Sequence, residues 1–360
     1  MTIKVLVVDD SVVIRKILTE LINSQPDMEV VGAAADPFIA REKIKQLNPD
    51  VLTLDIEMPR MDGITFLRNL MRLRPMPVIM ISTLTEAGAD ITLESLRLGA
   101  FDFVQKPKEN LGKGLVEYGE HIAEKIRASA SVNMTELERR LTSSKDDVPA
   151  PHKDNLKGYV PLPGQLIAIG ASTGGTEAIK EVLVGLPANC PPVVITQHIP
   201  PQFSTSFALR MNSCCDMTVH EASSNQKLIP GHVYIAPGDK HLEVVKKNSS
   251  LYTQLRDSEP VNRHKPSVEV LFDSIVKLGL KNTIGVLLTG MGADGSHALL
   301  RMKELGCHTI IQDQKTSVVW GMPGVAFELG AHCEVKPLNF IAKRLLDLTS
   351  MKDKRAAQSK

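Results

Sequence analysis

Twice along this chain, apolar runs of strand length alternate with amphipathic stretches of helix length, and a polar segment separates the two series. From residue 3 to 106 the order is KVLVV, VVIRKILTELI, MEVVGAA, IAREKIKQL, VLTLD, ITFLRNLMRL, PVIMIS, ITLESLRL and FDFVQ. Parallel strands can be joined only by crossovers, so strand and helix periods taking turns demand a parallel sheet with helices on its faces. The same alternation resumes with QLIAIG, EAIKEVLVGL, PPVVITQHI, HVYIAPG, LEVVKK, VEVLFDSIVKLG, TIGVLLTG, HALLRMKELG and HTIIQD. At 360 residues the chain exceeds what one core usually serves. Two α/β domains follow, one over 1–122 and a larger one over 161–352, the second with an added β hairpin around 232 to 256. Between them, 123–160 reads as a linker. Its stretch SVNMTELERRLTSSKDDVPAPHKDNLKGYV predicts a short helix at 134 to 141 flanked by Ser, Asp, Pro and Lys.

Charge and composition exclude several classes. With 42 basic against 41 acidic residues the net charge is +1, so no overall field favours nucleic acid or an anionic membrane. No apolar run reaches membrane-spanning length, and MTIKVLVVDD lacks the apolar core of a signal peptide, so a cytoplasmic protein without membrane insertion is expected. The five cysteines, Cys190, Cys214, Cys215, Cys307 and Cys333, form no CxxC pair, which argues against a zinc knuckle or disulfide framework.

In an open parallel sheet the residues just past the strands' carboxyl ends share one crevice. The first series ends its strands in Asp9 and Asp10, in Asp55, in Ser82 and in Lys106. Singly, each acid reads as a turn residue or helix cap. Gathered in one crevice, three carboxylates repel unless a hard cation joins them, and Mg²⁺ suits that charge pattern. A carboxylate in such a place can attack a phosphoryl group, and Asp55, at the end of the central strand, is the candidate. With Lys106 followed by Pro107, Ser82, and MPRMDG after Asp55, the set resembles a response-regulator receiver domain over residues 1–120. The resemblance implies a flavodoxin-like, doubly wound sheet and phosphorylation of Asp55 by a histidine kinase. It further implies Mg²⁺ on Asp9, Asp10 and Asp55, switch roles for Ser82 and Lys106, and an aromatic switch at Phe103.

In the second series QLIAIG is followed by ASTGGTEAIKEVL, so Gly170 to Gly174 fits GxSxG in a strand, turn, helix context. Ser172 would then sit where helix amides favour a developing oxyanion. His198 ends the next apolar strand and can serve as its base. Asp294, inside GMGADG after TIGVLLT, can orient the imidazole. The chain order Ser, His, Asp differs from the Ser, Asp, His of α/β hydrolases, so the site is an independent construction on a Rossmann-like sheet. Backbone amides at Thr173 and Met291 are the candidate oxyanion donors. A rival occupies the same place: Gly290, Gly292 and Gly295 satisfy GxGxxG, and Asp313 ends the next strand, as in a dinucleotide site. Asp294 would then point a carboxylate at the pyrophosphate, which charge repulsion opposes. The remaining histidines have no ligand spacing such as HExxH, so no metal or cofactor is expected in this domain.

Together IGASTGGTEAI, QHIPPQFSTSFALRMN, IAPGDKHL, HKPSVEVLF, LLTGMGADGS and WGMPG resemble the catalytic domain of chemotaxis protein-glutamate methylesterases over roughly residues 160 to 350. The resemblance implies Ser172, His198 and Asp294 as a catalytic triad with Thr173 and Met291 in the oxyanion region. It also implies methyl-accepting chemoreceptors as substrate, demethylated at glutamate γ-methyl esters and deamidated at some glutamines, and a chemotaxis histidine kinase as phosphodonor. One chain holding a phosphate switch and a hydrolytic site suggests that phosphorylation moves the receiver off the hydrolase crevice. Two other classes compete less well: an adaptor without turnover, and a DNA-binding regulator, for which no basic recognition helix is present.

Overall fold

The computed structural model describes residues 2–83, 86–106, 114–132 and 159–351. The short helix expected at 134 to 141 lies outside the described residues. The chain divides into two compact units, Met1–Val148 and Pro149–Lys360.

The first unit runs β1 (Ile3–Val8), α1 (Val12–Asn23), β2 (Met28–Ala34), α2 (Pro37–Leu47), β3 (Val51–Asp55), α3 (Gly63–Leu73), β4 (Val78–Ser82), α4 (Glu86–Arg97), β5 (Asp102–Gln105) and α5 (Gly114–Ala130). Its five strands are parallel in the order β2-β1-β3-β4-β5, the doubly wound flavodoxin-like arrangement. Local chemistry starts the helices where the sequence says they should start. Ser11 accepts from the Ile14 amide to cap α1, Asp36 accepts from Phe38 and Ile39 to cap α2, and Asp62 accepts from Thr65 to cap α3. One face of the sheet buries Leu6, Val8, Leu52, Leu54 and Met80 against Ala40 and Ile44 of α2 and Phe66, Leu67 and Leu70 of α3.

The domain end expected at 122 falls inside α5, which continues to Ala130. The reason is burial: Ile122, Ala123 and Ile126 are fully buried, and each isoleucine contributes about 1.5–3 kcal/mol. Arg127 adds a bidentate ion pair to Asp27 beyond them.

The second unit runs β6 (Leu166–Ala171), α6 (Gly175–Val184), β7 (Val193–Gln197), α7 (Pro201–Cys214), β8 (Thr218–Glu221), β9 (His232–Ile235), β10 (His241–Lys247) and β11 (Ser250–Arg256). It continues through α8 (Val268–Lys277), β12 (Thr283–Leu287), α9 (Ser296–Leu305), β13 (His308–Gln312), α10 (Met322–Glu328), β14 (Glu334–Lys336) and α11 (Leu338–Thr349). Seven strands form one parallel sheet in the order β14-β13-β12-β6-β7-β9-β8. The expected hairpin is shorter than 232 to 256. β9 pairs in parallel with β7 and β8, and only β10 and β11 make the antiparallel hairpin. Complete burial of Val233 and Ile235 explains why this short strand joins the sheet. β8 and β14, of four and three residues, carry too little pattern to be read from sequence.

The chain leaves β6 for β7 on one side and later returns to place β12 on the other. The strand order therefore reverses between β6 and β12, and the crevice at a doubly wound sheet opens at such a switch point.

Candidate functional site

β12, β6 and β7 lie side by side, so the residues that follow them meet at one sheet edge. The His198 amide donates to the Ala171 carbonyl and the Ser172 amide to the Thr289 carbonyl, which locks the three strand ends together. At this edge His198 Nδ1 lies 3.1 Å from Ser172 Oγ, and His198 Nε2 lies 2.8 Å from Asp294 Oδ2. The three residues expected from the sequence are thus one hydrogen-bonded relay.

The turn carrying Ser172 needs its glycines. Gly174 holds a φ of 76° and is the residue at which α6 begins, a conformation that costs L-residues. No side chain caps α6, so the Ser172 hydroxyl is not a helix cap. Gly290 passes so close that a Cβ there would lie 2.8 Å from Ser172 Cβ and 2.3 Å from Met322 Sδ. This approach brings the backbone entering Met291 against the serine. Thr173, next in the chain to Ser172, is buried, and its carbonyl accepts from Thr289 Oγ1 at 3.0 Å.

Asp294 is 2% exposed, and burial alone would raise its pKa. Hydrogen bonding and charge from His198, with hydrogen bonds from Asn262 and Ser267, outweigh burial and bring it down to about 2. Oδ1 accepts from Asn262 Nδ2 at 2.8 Å, Ser267 Oγ at 2.7 Å and the Glu269 amide at 3.3 Å. Oδ2 accepts from the Val268 amide at 2.7 Å besides the imidazole. An acceptor-only carboxylate keeps the imidazole proton on Nε2 and leaves the Nδ1 lone pair facing Ser172. That arrangement can withdraw the serine proton as the oxygen attacks a carbonyl.

The acid that the rival dinucleotide reading assigns to a ribose has a local role here. Asp313 Oδ1 accepts from the Thr316 amide and hydroxyl, at 3.0 and 2.5 Å, and so closes a turn. Sequence reasoning missed Asn262, Ser267 and His264, whose ring stacks on His198 with centroids 3.7 Å apart. HKPSVEVLF contained two of them, but no spacing rule ties that segment to a triad formed elsewhere in the chain.

In the first unit Asp9, Asp10 and Asp55 offer ligand atoms all within 4.8 Å of one another, among the described residues the one group of this kind. Asp55 closes β3 and Asp9 follows β1, both buried, while Asp10 is exposed. Lys106 Nζ reaches Asp55 Oδ2 at 2.7 Å and Asp9 Oδ2 at 3.4 Å. Asp9 Oδ1 accepts from the Ser11 amide at 2.8 Å, as a turn residue would, but its buried Oδ2 accepts no hydrogen bond. Burial, reinforced by the neighbouring Asp9, pushes Asp55 up to about 6 although Lys106 opposes it; burial likewise raises Asp9. Three clustered carboxylates with one ammonium among them, and an Asp9 oxygen that has only the long ion pair to Lys106, fit a hard divalent cation.

Ser82 closes β4 and Phe103 lies in the neighbouring strand β5. The Ser82 hydroxyl hydrogen-bonds Thr92 Oγ1 of α4 at 3.0 Å and donates to the Thr83 carbonyl at 3.1 Å. Phe103 is partly buried against the core that contains Phe66 and Leu70.

Residues 5–113 match the response regulator receiver domain and residues 167–345 the CheB methylesterase domain. A protein-glutamate methylesterase/protein-glutamine glutaminase of Hydrogenovibrio crunogenus is 52% identical, over 96% of this chain and 98% of its own. The chain belongs to the protein-glutamate methylesterase/protein-glutamine glutaminase family. A second such methylesterase/glutaminase, from Saccharophagus degradans, is 54% identical over 96% of this chain and 98% of its own. The crystal structure of the Thermotoga maritima CheB methylesterase catalytic domain aligns over 52% of this chain and all of its own, with 38% identity and a TM-score of 0.51. Among the described residues no helix is long and apolar enough to cross a membrane.

Proposed function

We propose that this chain hydrolyses glutamate γ-methyl esters on methyl-accepting chemoreceptors in the cytoplasm and deamidates glutamines at the same centre. The observation that carries the reading is the relay Ser172, His198, Asp294 at a sheet switch point, with the carboxylate held ionised by five hydrogen bonds. Ser172 Oγ attacks the ester carbonyl carbon while its proton passes to His198 Nδ1. The negative charge grows on the carbonyl oxygen beside the backbone at Thr173 and Met291 and the start of α6, where amide dipoles favour it. Collapse breaks the bond to the methoxy oxygen, which takes the proton from Nδ1 and leaves as methanol. Water then attacks the acyl carbon and gives a proton to Nδ1, which returns it to Ser172 Oγ as the acyl bond breaks, and the product acid loses its remaining proton to solvent as a glutamate carboxylate. With a glutamine the leaving group is ammonia.

The receiver gives this chemistry an input. Asp55 accepts a phosphoryl group from a chemotaxis histidine kinase, with its oxygens met by Lys106. Mg²⁺, when held by Asp9, Asp10 and Asp55, supplies positive charge against those oxygens. Ser82 reaches the same oxygens by exchanging its bond to Thr92, and Phe103 follows as the switch residue.

Methanol release from methylated receptor membranes tests the reading. Wild type releases it and Ser172→Ala does not; release by both would remove Ser172 from the reaction. Equal rates before and after verified phosphorylation of Asp55 would remove the regulatory half alone.

A further inference from the structure

The segment between β11 and α8 does more than connect them. At its centre Val261 and His264 exchange backbone hydrogen bonds, each 3.0 Å, across a two-residue turn. Both central residues take left-handed backbone, Asn262 at φ 53° and Arg263 at φ 67°. Two successive positive φ values define a type I′ turn, in which Asn is well suited at the first position and Gly is usual at the second. Arginine there is unfavourable by about 1 kcal/mol or more. Strain of this kind persists where the surroundings over-determine the conformation.

The two residues bracketing Arg263 show what the turn holds. Asn262 donates to Asp294 Oδ1 at 2.8 Å, and the His264 ring lies over His198, centroids 3.7 Å apart and planes 15° from parallel. The base of the segment is pinned independently. His241, fully buried at the start of β10, accepts from the Ser267 amide at Nδ1 and donates from Nε2 to the Glu259 carbonyl, both at 3.1 Å. From that fixed base Ser267, Val268 and Glu269 make the other contacts to Asp294.

We propose that residues 259–269 form a clasp, closed at its base by His241, in which His264 and Asn262 are positioning residues for the relay. The inference rests on the triad reading given above and deepens it. An imidazole that must face Ser172 on one side and Asp294 on the other is constrained at two points and can still tilt about the line joining them. Stacking by His264 removes that freedom, and Asn262 fixes the carboxylate about which the ring would pivot. Misplacement of a reacting group by about 1 Å costs on the order of 100-fold in rate, so a tilt is expressed in kcat and not in substrate binding.

The test compares methanol release by wild type, Ser172→Ala, His264→Ala, His264→Phe and Asn262→Gly on methylated receptor membranes. The clasp predicts that His264→Ala lowers kcat by roughly 10- to 100-fold with KM changed less than about twofold. His264→Phe, which restores a flat ring, recovers most of the loss. Asn262→Gly keeps the turn's backbone but removes the donor, and lowers kcat by roughly tenfold. Circular dichroism checks that each variant is folded, and a misfolded His264→Ala leaves Asn262→Gly and His264→Phe to decide. Wild-type kcat in His264→Ala and Asn262→Gly, with Ser172→Ala inactive, overturns the clasp and spares the triad. An active Ser172→Ala overturns the triad reading itself.

Discussion

Asp55, the last residue of β3, and Asp294, in the loop that follows β12, are both buried acids at the carboxyl edge of a parallel sheet, yet their environments drive them in opposite directions. Asp294 is drawn down to about 2 because five donors from its own unit surround it. Asp55 is pushed up to about 6 because burial and Asp9 outweigh Lys106 and one weak amide contact from Glu57 at 3.3 Å. The difference separates a site complete within the chain from one arranged to receive charge from outside. A carboxylate that must stay ionised through every turnover is saturated with donors. One proposed to bind a cation and take on a phosphoryl group is left undersupplied.

The sharpest way to break this contrast is Asp294→Asn. An amide cannot hold the imidazole proton on Nε2 as a carboxylate does, so kcat for methanol release should fall by roughly 10³- to 10⁴-fold with the fold intact. A loss under tenfold would mean that Asp294 has no orienting role.

Stability against pH sharpens the comparison further, because the two signs are opposite. Asp294, depressed in the folded state, contributes stability that is present above about pH 4 and lost as pH falls toward about 2. Asp55, raised in the folded state, contributes stability that is present below about pH 4 and lost as pH rises through about 6. Each effect is on the order of 2 kcal/mol. Calorimetry in EDTA should therefore show receiver unfolding weaken between pH 4 and 6.5, and Mg²⁺ should restore it far more at pH 7 than at pH 4.5. Metal stabilisation independent of pH would contradict the undersupplied cluster.

Asp55→Asn removes the uncompensated charge while keeping shape. It should raise receiver stability at pH 7.5 in EDTA by about 1–2 kcal/mol and abolish incorporation of label from a phosphodonor. The smallest effect is expected at the cluster's edge. Ser82→Ala removes the hydroxyl bonded to Thr92 at 3.0 Å, costing about 1 kcal/mol, and should leave Mg²⁺ affinity unchanged.

Much of this contrast was legible in the residues themselves. Strand ends carrying Asp9, Asp10, Asp55 and Lys106 had to meet, because parallel strands share one carboxyl edge, and the same logic brought Ser172, His198 and Asp294 together. What supports Asp294 was not legible. Asn262, His264 and Ser267 lie on a connection whose path depends on a strained turn and on the buried His241, features that no strand or helix period encodes. The continuation of α5 past 122 had a readable signal in Ile122, Ala123 and Ile126, which share one helix face, but its weight came only with the burial of that face. β9 reads from its sequence as part of the hairpin because a run as short as HVYI cannot declare whether its neighbour is parallel or antiparallel.

Covalent capture tests the central claim most directly. The whole chain is treated in EDTA with a fluorophosphonate, which phosphonylates activated serines, and the adduct is mapped by peptide mass spectrometry. The account predicts one adduct, on Ser172, that forms without metal and is lost in His198→Ala. An adduct on another serine, or labelling of Ser172 that survives His198→Ala unchanged, would contradict it.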